Sequence, residues 1–199
     1  CQPLGANFIV DGKLLEWSEA PPMDMDKTTM EYGYPDPLPE FADSSATIYC
    51  GWVGDDLVLA GSVRDDVLWR DSEYIWLDDA IEFGFDGLAD QVYWNPDDHQ
   101  FTLGSDLTIM DFGTTPMTMT LQAITQNTGS WDFELRLPQS VTRSGTLTTG
   151  KKIGFTVGLD DDDTGGSRDS FMVWEGHSTN GSPEEWGTLV LVGVKATPT

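Results

Sequence analysis

Apolar residues in this chain recur at every second position through a series of short segments, and nowhere hold a sustained 3.6-residue period. Such alternation gives each segment one apolar and one polar face, the pattern of a strand half-buried against a core. The segments are 46–51, 57–64, 80–86, 100–103, 117–125, 130–137, 152–159, 170–174 and 187–192, dominated by Val, Ile, Thr, Phe, Tyr and Trp. Turn formers separate them: Val53-Gly54-Asp55-Asp56, Asn127-Thr128-Gly129, Ser144-Gly145 and Thr164-Gly165-Gly166. Short strands joined by polar turns predict an all-β fold, a two-sheet antiparallel β-sandwich of jelly-roll type in a single domain. A chain of 199 residues can bury such a core without disulfide staples.

Residues 18–45 break the pattern. Pro21, Pro22, Pro35, Pro37 and Pro39 exclude a central strand there. Met23, Met25, Met30, Tyr32 and Tyr34 are interspersed, which predicts an ordered loop or edge segment packed onto the body. No repeat or linker interrupts the chain. The expected organisation is a processed segment 1–8, a sandwich 9–194 and a tail 195–199.

Ten basic residues against 34 acidic ones leave a formal charge of −24. That charge repels phosphate backbones and argues against a nucleic-acid partner. Carboxylates gathered in loops are the donors calcium takes, so Ca²⁺ is the expected cofactor. No apolar run is long enough to form a membrane-spanning helix. The two cysteines, Cys1 and Cys50, match no zinc or redox spacing. A chain that begins with cysteine and lacks an initiating Met reads as processed. Cys1 is then a lipid-anchored residue of a surface lipoprotein, a disulfide partner of Cys50, or an artificial chain end. The first two place the protein at the cell surface or outside the cell.

Six segments, in order, resemble the family 9 carbohydrate-binding modules and the related DOMON-like sandwiches. Val10-Asp11-Gly12-Lys13-Leu14-Leu15-Glu16-Trp17 resembles the family's IDG-x-x-D-E-W opening. Residues 57–66 resemble its central strand ending in an acidic pair, Asp65-Asp66. Trp76-Leu77-Asp78-Asp79-Ala80-Ile81-Glu82-Phe83 resembles W-x-x-D-S-V-E-I. Residues 131–138 resemble Y-x-x-E-x-x-I-P, residues 153–160 resemble I-G-F-x-V-x-V-x-D, and residues 186–189 resemble F-G-x-L.

The resemblance implies a secreted, non-catalytic module that binds a glycan. Sugar-binding members clamp the ligand between two Trp side chains, assisted by a glutamate, an arginine and amides. Trp76 falls on the first Trp and Glu82 on the glutamate. Thr102, Gly158 and Asn180 stand where the arginine, a glutamine and the second Trp are expected. Trp94, beside Asn95-Pro96, is the substitute platform, with Trp69 and Trp174 behind it. Trp17 and Trp186 are assigned to the core. The alternative is that Trp76 is a core or rim aromatic and Glu82 an outward carboxylate on a solvated strand. The resemblance also implies structural calcium in acidic loops, giving the candidate ligands Asp65, Asp66, Asp97, Asp98, Asp160 and Asp162. The alternative is a solvated acidic loop partly balanced by Arg168.

The sequence carries no G-x-S-x-G, HExxH or Gly-rich phosphate loop, and His99 and His177 are its only histidines. A non-enzymatic protein is expected. Two rival readings use the same fold. One is a structural subunit of an extracellular filament or layer, forming a homo-assembly through an edge near 7–10 or 189–194. The other is a haem-binding relative with His/Met ligation.

Overall fold

The computed structural model describes residues 1–112 and 121–193, and its elements are almost entirely strands. In chain order they are β1 (Gln2–Pro3), β2 (Met23–Met25), β3 (Tyr32–Tyr34), β4 (Ser44–Val53), β5 (Asp56–Asp65), β6 (Ala80–Asp86) and β7 (Asp98–Gly104). Then come β8 (Ile109–Asp111), β9 (Leu121–Asn127), β10 (Ser130–Pro138), the single-turn α1 (Gln139–Thr142), β11 (Lys152–Asp161), β12 (Ser170–Val173) and β13 (Gly187–Val190).

One sheet runs β1-β4-β5-β10-β9, with β2 also on the edge of β4. The other runs β3-β12-β11-β6-β7-β8, with β13 beside β12 along β11. All pairings are antiparallel except the two-residue β1–β4 contact. The core lies between the sheets. Ile48, Leu57, Leu59, Phe133 and Leu135 from the first meet Phe83, Phe85, Phe101, Phe155 and Val157 from the second. Phe83 touches Phe101, Phe133 and Phe155, with centroids 5.1–6.4 Å apart, so one ring joins both sheets.

Strand alternation therefore predicts the architecture, and the sandwich is all-β and single-domain. β6 spans the expected residues, whereas β11 runs two residues further, into the aspartate run. Of the expected strand 117–125, residues 117–120 lie outside the described residues, as do the tail 195–199 and Val194. The proline-rich stretch supplies the edge strands β2 and β3, whose three residues each are too short to display a period.

The segment before β2 lies on the outer face of the first sheet. Trp17 is fully buried there with Val58 and Ala60, and Phe8 meets it edge-on at 5.7 Å. Residues 7–10 form no strand, so the edge expected there for assembly is absent; the two residues of β1 pair with β4 instead. Residues 189–190 are already paired with β11. Trp186 is buried, but on the outer face of the second sheet rather than between the sheets, beside Gly84.

Cys1 and Cys50 form a disulfide. A lipid thioether on Cys1 would need the same sulfur, so bridge and anchor exclude one another. The bridge closes a 49-residue separation. Its reduction is expected to lower the unfolding free energy by about 3 kcal/mol, measured by urea denaturation with and without a reductant.

Candidate functional site

Period-2 alternation that buries Phe83, Phe101 and Val157 turns Glu82, Gln100 and Gly158 to the opposite face of the second sheet. That outer face carries a cleft of about 370 Å³. Strand order builds its walls. β3 brings Tyr32 and Tyr34 to one edge, while Phe112, just after β8, stands at the other. Trp76, in the turn before β6, joins Phe112 at 5.1 Å and stacks on Tyr74 at 4.7 Å.

The floor is polar and tightly cross-linked. Glu82 accepts hydrogen bonds from Gln100 Nε2 (3.0 Å) and from the hydroxyl of Thr179 on its Oε2, and from Arg168 Nη1 on Oε1 (3.3 Å). Arg168 also pairs with Asp160, donates through Nε to the Tyr34 hydroxyl (2.7 Å), and lies 4.2 Å over the Phe171 ring. Burial and the nearby Glu82 charge push the Asp160 carboxyl well above its usual range, despite the opposing Arg168. Burial lowers the Arg168 pKa, but Asp160 and Glu82 outweigh it and hold the guanidinium above its ordinary value. Arg168 Nη2 makes no hydrogen bond among the described residues. The cleft therefore offers an uncommitted donor next to the lightly used Oε1 of Glu82.

The expected site residues divide. Trp76 and Glu82 share the cleft, and Asn180 lines it. Glu82 is only 5% exposed, because Arg168 and Thr179 cover it; it is not a solvated outward carboxylate. Trp94 does not line the cleft. It packs edge-on to Trp186 at 6.5 Å, beyond the Ser178–Gly181 turn. Trp69 donates to the Asp163 carbonyl, and Trp174 packs on Phe155; neither reaches the cleft. A side chain at Gly158 would strike Phe171 and Thr179, so no amide fits where the family pattern has glutamine. A guanidinium and an amide do line the cleft, from Arg168 and Gln100. Tyr32, Tyr34 and Arg168 were not recognisable as site residues in the sequence. The Tyr-Gly-Tyr alternation before Pro35, and one arginine in a run of acids, were the available signals.

Four consecutive aspartates at the end of β11 reach four different places. Asp160 turns to Arg168 beside Glu82 and, among the described residues, joins none of the three-carboxylate clusters. Asp161 joins Asp65 and Asp79, Asp162 joins Asp71 and Asp78, and Asp163 joins Asp43 and Asp66. The expected pair Asp65-Asp66 is thus split, since neighbouring strand residues face opposite ways. Asp97 meets Asp86 and Asp90, while Asp98 accepts from the Asn95 backbone N–H. Each three-residue cluster brings carboxylate oxygens within 4.8 Å of one another and could hold a metal ion.

The Asp65–Asp79–Asp161 cluster is buried throughout. Burial, then the Asp79 charge, pushes Asp65 up to about 9. Burial pushes Asp79 up to about 6 and Asp161 to about 7. Outside that cluster, Oδ1 of Asp98, Oδ2 of Asp160, Oδ2 of Asp162 and Oδ1 of Asp163 are buried without a hydrogen-bond partner among the described residues, and a hard cation suits such oxygens. The histidines do not fit haem ligation. His99 is buried, with its ring nitrogens 2.7 Å from the Val141 carbonyl and the Asp111 carboxylate. His177 is engaged with Glu185 at 3.1 Å.

Two structures of a family 9 carbohydrate-binding module from Caldicellulosiruptor kristjanssonii, one with cellotriose and one with glucose, share the fold. The first has a TM-score of 0.81 at 15% identity, covering 99% of this chain and 96% of that one. The second has a TM-score of 0.82 at 14% identity, covering 100% and 98%. A carbohydrate-binding protein described from Bacteroides uniformis is similar at a TM-score of 0.59 and 15% identity, over 89% of each chain. No curated protein matches in sequence. The family model described as carbohydrate family 9 binding domain-like matches residues 10–194, and the chain belongs to that family of non-catalytic, carbohydrate-binding modules.

Proposed function

We propose that the cleft between Trp76 and Tyr34 binds a pyranose ring of a β-1,4-linked glucan, at the cell surface or outside the cell. The carrying observation is an aromatic wall beside a paired donor and acceptor. Trp76 offers a flat face for the apolar side of a sugar ring. The Arg168 Nη2 donor and Glu82 Oε1 acceptor suit two adjacent hydroxyls. Binding of cellotriose and glucose by the similar modules supports this choice of sugar. The disulfide fits an oxidising compartment.

Calcium is the second part of the proposal. Asp65, Asp79 and Asp161 would hold the ion, joining the ends of β5 and β11 to the start of β6. Three buried carboxylates without a counter-cation are unfavourable, and a divalent ion supplies the missing charge.

Isothermal titration with glucose, cellobiose and cellotriose tests the sugar reading. Binding is expected, with Trp76→Ala abolishing it and Arg168→Gln weakening it about tenfold. Trp52→Phe, distant from the cleft, should bind like the parent. Absence of binding by the parent protein at roughly 10 mM sugar would exclude the proposal.

A further inference from the structure

The loop between β6 and β7, residues 87–97, contributes no residue to the cleft lining, but its Tyr93 approaches Gly181, the residue after the cleft's Asn180. Three of its non-glycine residues sit at positive φ: Ala89 (53°), Gln91 (57°) and Trp94 (23°). Side-chain carboxylates impose this shape. Asp86 accepts from the Gln91 N–H at 2.9 Å, and Asp90 accepts from the Val92 N–H at 3.0 Å. At the tip, Tyr93 is 69% exposed, the most of any aromatic residue described. Its ring makes no aromatic contact and its hydroxyl no hydrogen bond among the described residues. A constrained loop thus holds a bare ring in solvent.

The ring lies one residue beyond the cleft lining. Asn180 lines the cleft, and Gly181 follows it. A Cβ placed on Gly181 would lie 3.9 Å from the Tyr93 hydroxyl and within 4 Å of nothing else. Gly181 is therefore a low step, leaving an open path from Asn180 to Tyr93. Behind Tyr93, Trp94 is braced edge-on against Trp186.

We infer that Tyr93 is an outer stacking platform for a linear β-1,4-glucan whose first ring occupies the cleft, so that the protein prefers chains over single sugars. This rests on the proposed sugar site and adds its length selectivity. A saccharide chain suits the surface because a step without side chains leads to one flat ring with a polar tip.

Titration calorimetry of the whole protein with glucose, cellobiose, cellotriose and cellotetraose tests it. Affinity is expected to rise about tenfold between cellobiose and cellotetraose, equivalent to about 1.4 kcal/mol. Tyr93→Ala should remove the rise and leave glucose and cellobiose affinity unchanged, while Tyr93→Phe should keep it. Affinity independent of length, or a rise that survives Tyr93→Ala, would overturn the outer platform alone. Failure of every sugar to bind would overturn the cleft proposal and this inference together.

Discussion

Replacing Glu134 with alanine is expected to lower the unfolding free energy by about 4 kcal/mol, and the melting temperature by about 10 °C. Glu134 lies on β10 between the inward Phe133 and Leu135, so alternation turns it to the outer face of the first sheet. Nothing reaches it from solvent, because residues 8–20 lie over it. Its carboxylate accepts from the Asp11 N–H (2.7 Å), the Gly12 N–H (2.9 Å) and Trp17 Nε1 (2.8 Å). Burial pushes the carboxyl upward, and those three donors pull it back. Alanine would strand all three donors and open a void beneath Trp17. Glu134→Gln keeps an acceptor oxygen and should lose less. Urea denaturation of the three proteins measures the difference; a loss under about 1 kcal/mol for alanine would contradict this role.

The second large effect is a calcium response that a single substitution removes. Saturating calcium is expected to stabilise the parent by up to about 4 kcal/mol over the protein in chelator. Asp161→Asn should lose that response. In chelator it should be at least as stable as the parent, because one of three crowded buried charges is gone. The ion-free parent should also depend on pH. Carboxyls raised to about 7 (Asp161) and about 9 (Asp65) favour the folded state while protonated. Their contribution is complete below the ordinary carboxylate range near 4, and is lost as pH rises through about 7 and about 9. Thermal melts across pH, with calcium and with chelator, test both statements. Identical curves in millimolar calcium and chelator would exclude the ion.

Sequence pattern and structure agree wherever a strand is long enough to show both faces. β4, β5, β6, β10 and β11 were legible because seven to ten residues alternate there. β1, β2, β3 and β8, of two or three residues, carry no period, and their pairing depends on neighbours distant in sequence. The site follows the same division. Trp76 and Glu82 were legible because six residues of one local segment set their spacing. Arg168 was not, since its neighbours in sequence are acids, whereas β-pairing brings it to Glu82, 86 positions away. Adjacent aspartates looked like one loop site for the same reason. Only the end of β11 and the turn after it reveal that Asp160 turns to Arg168 while Asp161, Asp162 and Asp163 join three different clusters.

The decisive measurement is a crystal structure of the protein soaked with cellotriose. A sugar ring stacked on Trp76, with hydroxyls on Glu82 and Arg168, is the predicted result. Density for the sugar elsewhere on the surface, with that cleft left to solvent at saturating ligand, would contradict the assignment of this face.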